Sequence, residues 1–518
     1  MPYARFLAAL LSANLLSLVL LNAIRLPVWA LLPILPGGIV AAWLVLRPLN
    51  VRRLPFRASR WAVLFAAAAF VLLTAPRLPY LAEWLPGAVV LAQADDYGRL
   101  SELISMTLGG RYPLPHPSNQ QFLLSHYYAA LFPMAWCKLA IPVLTLKDCI
   151  VLGNMLYHAL FLLSLLEVAP RLVRRPAGAT VLVFLMTLFG GLDLLAGRLV
   201  PFEHTELWQR SWLGAMREFS SMYTANFWTV HHMAAVWCVL LAFVLCRETR
   251  SAARWRKPLI AGWLLVAAGA CSLFVALTLP LLAWRELGML LKRLWRSRMI
   301  LPVAAASLTP LWLYTNRVAP GGFAWRPVPH LLPVYLLAIF LVDFAGLPLL
   351  VLARWRQLAR SERRWLGGAM LFFVLTWGVE SVGYNNFAMR GGLAPSIVIF
   401  LLAARHGGLP RAKVAVGALA ALATLTTLTT LREAVTMTYA PLEFSNWYWQ
   451  TRGLPVPAHV RPLLRDAYRS SVRNPSARVY RPDAGNRLGP EKFNAEKLIE
   501  GIPFDQMHGA EQELARFR

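Results

Sequence analysis

The chain has 518 residues, of which 58% are hydrophobic and only 15% charged, and its 52 Lys and Arg outnumber 25 Asp and Glu to give a net charge of +27. Such an excess of base would suit a nucleic-acid binder, but a binder gathers its base on one face of a soluble domain, whereas here short Arg-rich clusters alternate with apolar runs about 20 residues long, enough to span a bilayer. Composition therefore excludes a soluble globular protein and predicts an all-α, polytopic transmembrane bundle of about 13 helices, with no nucleic-acid partner.

In chain order, spans are expected near residues 6–24, read as an uncleaved anchor, and 28–46. The loop RPLNVRRLPFRASR, with Arg47, Arg52, Arg53, Arg57 and Arg60, follows and is cytoplasmic by the positive-inside rule. The span at 61–75 then leads outward, so the loop 76–147 lies outside the cytoplasm and carries Asp95 and Asp96. Within it, the apolar stretch 122–145 holds His126, Tyr127, Tyr128 and two prolines and reads as an interfacial or re-entrant helix. The crossing is 148–169, ending at Arg171, Arg174 and Arg175. Further spans are expected near 177–197, 227–246, 259–271, 272–288, 299–314, 332–353, 365–381, 392–404 and 412–431, with basic clusters at every second junction. The N-terminus is then cytoplasmic, and residues 432–518 form an extracytoplasmic tail or small domain following a transmembrane domain of residues 1–431. The five cysteines show neither metal-ligand spacing nor a disulfide framework.

Polar groups at helix mouths are costly unless paired or wet, and so point to function. The outer loops supply Asp95, Asp96, Arg99, Glu102, His126 and Tyr127 from the first; His231 and His232 about one turn into the span NFWTVHHMAAVW; and Asn385 and Arg390 from VGYNNFAMRGG. A carboxylate can take the proton of an attacking hydroxyl, and Arg can hold a departing phosphate in bidentate fashion. That combination suits sugar transfer from a lipid phosphate. Blander readings remain open: Asp95 and Asp96 also suit a helix N-cap, the histidines can be packing residues, and Arg390 can snorkel to lipid headgroups.

The stretch DDYGRLSELISMTLGGRYPLPHPSNQQFLLSHYYAALFPMAWCKLAIPVLTLKD resembles the first periplasmic loop of GT-C superfamily glycosyltransferases, such as the protein O-mannosyltransferases and aminoarabinose transferases. The resemblance implies an inverting membrane glycosyltransferase of a bacterial inner membrane, using a polyprenyl-phosphate-linked sugar and an unknown glycan, lipid or protein acceptor. It matches Asp95 and Asp96 to the acidic pair, with one Asp as base, and His231 or His232 to a histidine at the mouth of a mid-chain helix; Arg99, Glu102, His126, Tyr127, His231, His232, Asn385 and Arg390 are candidate substrate contacts by their place at the outer face. A divalent cation, Mg or Mn, is expected at Asp96 and His232; no nucleotide or redox cofactor is expected. The family's Lys-Pro-Pro segment is absent, with His116-Pro117 and Gln120-Gln121 nearby instead. The rival functions are a transporter or flippase of lipid-linked saccharides, and a polymerase or ligase of them. A transporter would carry interrupted helices with polar groups near the midplane.

Overall fold

The computed structural model describes residues 1–51, 58–78, 110–116, 119–123, 128–144, 146–173, 175–192, 221–250, 253–315, 323–325, 332–381, 386–406 and 420–429, with a few isolated positions besides. The helices are α1 (Pro2–Ala23), α2 (Leu31–Leu46), α3 (Arg60–Thr74), α4 (Phe132–Ala140), α5 (Leu146–Val173), α6 (Pro176–Thr187), α7 (Met222–Trp228) and α8 (Val230–Glu248). Then come α9 (Arg256–Cys271), α10 (Leu273–Arg296), α11 (Ile300–Thr315), α12 (Leu332–Leu341), α13 (Leu347–Ala353), α14 (Arg360–Gly378), α15 (Asn386–Gly391), α16 (Leu393–His406) and α17 (Ala420–Thr429). Among the described residues, seven helical stretches are long and apolar enough to cross a membrane: Pro2–Ala23, Val28–Leu46, Arg60–Leu78, Asp148–Val173, Val230–Arg247, Leu273–Arg296 and Phe387–His406. Other expected crossings are shorter: α6, α11 and α17 are apolar but fall below spanning length. The expected span 332–353 is two helices separated by a turn at 342–346. The expected helix in 122–145 is confined to its second half, because Asn119–Leu123 is a strand, β3, paired with β2 (Pro115–His116).

The most buried helices carry polar side chains turned inward. Asn14 on α1 donates to the Tyr157 hydroxyl on α5 (2.9 Å), and that hydroxyl donates to the Ala130 carbonyl (2.9 Å). Asn22 donates to the Tyr128 hydroxyl (2.8 Å). These bonds tie α1, α5 and the turn Tyr128–Leu131 together in an apolar surround where unpaired polar groups are penalised.

The basic loops gather at one end of the bundle. Short strands β1 (Asn50–Val51) and β4 (Thr249–Arg250) pair there, joining two Arg-rich junctions. Arg5 donates to the Leu49 carbonyl, and the Ala4 amide donates to Glu167 Oε2 at 2.9 Å, bringing the start of α1 to the end of α5. Arg405 at the end of α16 donates to the Leu172 carbonyl (2.8 Å) and pairs with Glu362 (2.7 Å), which also meets His406 Nε2 at 3.0 Å. Glu362 lies in RSERR, ahead of the apolar stretch of α14. Burial pushes its carboxyl up, but the Ala359 amide, the Arg405 guanidinium and His406 outweigh that and hold it below the usual carboxylate range.

The opposite end holds the junction of α1 and α2 against the first loop: Val28 N–H donates to the Gly110 carbonyl (2.9 Å) and Tyr112 N–H to that of Leu26 (2.9 Å). Strands β5 (Phe323–Trp325) and β6 (Val379–Ser381) form a third antiparallel pair.

Candidate functional site

Two helix breaks place the histidines. Helix α7 stops at Thr229, whose φ and ψ of −135° and 59° leave the helical range. The freed Thr229 carbonyl accepts from the His232 amide (2.8 Å) and starts α8, so His231 and His232 occupy its first turn. The second break is Ser272 between α9 and α10, with extended backbone and its hydroxyl accepting from the Val275 amide (3.3 Å) as a helix cap.

The breaks meet. His232 is fully buried, with Nδ1 2.8 Å from Ser272 Oγ and Nε2 3.1 Å from His231 Nε2. The imidazole centroids are 4.0 Å apart, and His231 is the more exposed of the two. The chain Ser272–His232–His231 has a chemical consequence. If the serine hydroxyl donates to Nδ1, His232 carries its proton on Nε2 and donates to His231; the reverse tautomer reverses both bonds. The tautomer of His232 thereby couples the direction of the bond to His231 with that of the bond to a buried hydroxyl at a helix N-terminus.

A buried basic group lies at the same end. Arg77, just beyond α3, is fully buried, donates to the Phe227 carbonyl (2.6 Å) and lies over the Phe227 ring at 4.6 Å. Phe227 stacks on Tyr223, whose hydroxyl donates to the Leu72 carbonyl (3.0 Å). His158 of α5, also buried, bonds through Nε2 to the Asn226 carbonyl (2.9 Å), so Nε2 carries its proton. One turn earlier, Asn154 is fully buried and its amide finds no partner among the described residues. Thus α3, α5 and α7 are joined by cationic and neutral polar side chains bonding to main-chain oxygens.

Arg390 approaches α10 from another side. Gly391, the next residue, lies against Thr278 of α10 and Phe372 of α14 at distances that leave no room for a Cβ without adjustment (3.3 and 3.1 Å). This close approach holds Arg390 half-buried on α15, where its Nε is buried with no partner among the described residues. Helix α10 is the common support: Ser272 at its cap meets His232, and Thr278, two turns on, meets the segment of Arg390.

Of the other expected site residues, Glu102 is half-buried in a short helical stretch. Asp95, Asp96, Arg99, His126, Tyr127 and Asn385 lie outside the described residues. Among the described residues no group of three or more His, Cys, Asp and Glu comes together as a metal site. With Nδ1 at Ser272 and Nε2 at His231, His232 could ligate a cation only by giving up one of these contacts.

Sequence reasoning missed Arg77, His158, Asn154 and Ser272 as site residues. The signal for His158 was an ionisable residue inside CIVLGNMLYHALFLL, which is a functional pointer in an apolar span. Arg77 resembled any loop arginine, since its partner is 150 residues away. Comparison of the chain with protein-family models, with curated proteins and with solved structures finds no match.

Proposed function

We propose that the protein is a membrane glycosyltransferase of GT-C type, which moves a sugar from a polyprenyl-phosphate donor to an extracytoplasmic acceptor with inversion. The observation that carries this reading is the convergence on α10 of the Ser272–His232–His231 chain and the half-buried Arg390, whose Nε lacks a partner among the described residues. An anionic group entering between them would meet a guanidinium and a polarisable imidazole pair. In the proposed reaction Asp95 takes the proton of the acceptor hydroxyl as its oxygen attacks the anomeric carbon. The bond from that carbon to the phosphate oxygen breaks, and the polyprenyl phosphate departs with the electron pair. Arg390 and His231 stabilise the charge that develops there. Asp96 orients the acceptor, or contributes with His232 to a Mg or Mn site that would supply further charge neutralisation. Arg99, Glu102, His126, Tyr127 and Asn385 complete the substrate contacts. The bacterial inner membrane, the cytoplasmic N-terminus, the extracytoplasmic loop 76–147 and the tail 432–518 belong to the same reading.

A transporter of lipid-linked saccharides is the second reading, and one feature favours it. The chain after α6 leaves helical geometry, with Gly191 at φ +71°, and packs against the turn between α12 and α13: Leu192 N–H donates to the Val342 carbonyl at 2.7 Å. Thr427 of α17 donates to the Leu188 carbonyl at 2.8 Å. Irregular backbone among apolar helices is tolerated where it is packed in protein or lines a cavity, and transporters use such breaks.

Purified full-length protein in vesicles, supplied with a panel of short-chain polyprenyl-phosphate hexoses and aminoarabinose, separates the readings. Release of polyprenyl phosphate, with label appearing on added membrane acceptors or slowly on water, supports transfer. Movement of intact donor between leaflets without bond cleavage overturns it in favour of transport.

A further inference from the structure

The second half of α10 is built differently from the first. Pro280 has no N–H to give the helix, and three residues later Ala283 departs to φ −138° and ψ 33°, so the axis breaks. The neighbouring helices show where it goes. Gly269 of α9 lies against Ala276, and Gly262 of α9 against Leu294. Between these two contacts α9 advances about 10 Å and α10 about 27 Å at the helical rise. Most of the length after the break therefore runs across the bundle rather than down it. Glu286 is already beside Arg364 (3.7 Å), in the first turn of α14 at the basic end, with ten residues of α10 still to come.

The segment after the break, WRELGMLLKRLWR, carries three stripes at about 100° per residue, with Met289 and Arg293 exposed on the remaining face. Leu287, Leu290 and Leu294 face the protein, Leu294 being buried against Gly262. Trp284, Gly288, Leu291 and Trp295 form an outward apolar stripe, with both tryptophans largely exposed (64% and 74%). Arg285, Lys292 and Arg296 form a third stripe beside it, all three exposed. Within this half the one acid, Glu286, falls on another face, where it meets Arg364.

We infer that residues 284–296 form an in-plane amphipathic helix that binds anionic phospholipid headgroups in the leaflet at the basic end of the bundle. Trp284, Leu291 and Trp295 enter the acyl boundary, and Arg285, Lys292 and Arg296 meet phosphate above it. Indole rings suit that depth, and a basic stripe flanking an apolar one is complementary to an anionic surface. The inference holds for either function proposed above.

The test uses full-length protein in detergent, with retained lipid measured after incubation with equal phosphatidylglycerol and phosphatidylcholine at low salt. Attraction of roughly fivefold per basic side chain is the scale for such contacts. We expect a several-fold preference for phosphatidylglycerol that falls toward parity in R285Q/K292Q/R296Q and under high salt. R285K/R296K should keep it, as should R354Q/R356Q/R360Q, which removes equal charge elsewhere at the basic end. Should the triple variant fail to purify, K292Q/R296Q is expected to lose a large part of the preference. An unchanged preference in the folded stripe variant, or equal loss in R354Q/R356Q/R360Q, would overturn the inference. So would competition by inorganic phosphate at equal concentration, since a headgroup site without a bilayer anchor would then suffice.

Discussion

The two ends of the bundle solve the same electrostatic problem in opposite ways. At the basic end charges are many, and its buried carboxylate is matched: Glu362 receives Arg405, His406 and the Ala359 amide, while the half-buried Glu167 receives the Ala4 amide. At the other end the buried groups among the described residues include imidazoles, amides, hydroxyls and the Arg77 guanidinium, and several of their partners are main-chain oxygens. Paired charge fixes a structure; a polar chain that ends in a partly exposed His231, with the half-buried Arg390 on the same supporting helix, is where the proposed reaction would place its ligand. Under the proposed function the difference separates anchoring from chemistry.

The largest expected effect sharpens that division at its outer limit. Asp95→Asn should lower transfer by about 10²- to 10⁴-fold, the range for a lost general base, with membrane abundance unchanged; full activity would remove Asp95 from the mechanism. Next is Arg77→Leu, which strands the Phe227 carbonyl and removes the cation from its ring. It should cost about 3 kcal/mol, read as a fall in the thermal midpoint of the detergent-solubilised protein, whereas a stabilised protein would show that Arg77 is a burden carried for function.

The histidines should differ from each other in kind. His231→Ala, at the open end of the chain, should lower donor cleavage by about 10-fold or more while leaving stability within about 1 kcal/mol. His232→Ala should lower both, because it empties a fully buried site and strips Ser272 of its partner. Equal behaviour of the two would dissolve the proposed polarity of the chain. The smallest effect is at the basic end: Glu362→Gln should cost about 1–2 kcal/mol with transfer by the folded fraction intact. Because the folded carboxyl lies below its unfolded value, its stabilisation is present at neutral pH and is lost as pH falls below about 4.5 through the folded value. Glu362→Gln should flatten that acid limb of the stability profile.

How much of this was legible depended on whether the signal was local. His231 and His232 stood out because NFWTVHHMAAVW puts ionisable groups at the mouth of an apolar run, but the expected span 227–246 is broken at Thr229, and the histidines sit in the first turn of the helix that restarts there, α8. Arg390 was singled out similarly, although the glycine contact that seats it on α10 was not readable. Span lengths were harder. Residues 332–353 are apolar but for Asp343 and were read as one span, although Asp343, Gly346 and Pro348 cluster where the helix breaks; the structure opens it there with Gly346 at φ +75° and packs Gly191 against Val342 and Asp343. Residues 272–288 were read as a short span followed by a basic link, whereas the helix continues to Arg296 across its kink and turns an amphipathic face outward.

The sequence by itself determined the class: apolar runs of bilayer length must bury their backbone bonds as helix, and Arg clusters between them mark one side, because hydropathy and charge spacing act over neighbouring residues. Only the tertiary structure decided that Arg77 bonds beneath Phe227, that Ser272 answers His232, and that half of α10 crosses the basic end. Those outcomes join residues 40 to 150 positions apart. They follow from which helices pack together in a medium where each buried polar group must find a partner wherever the fold brings one.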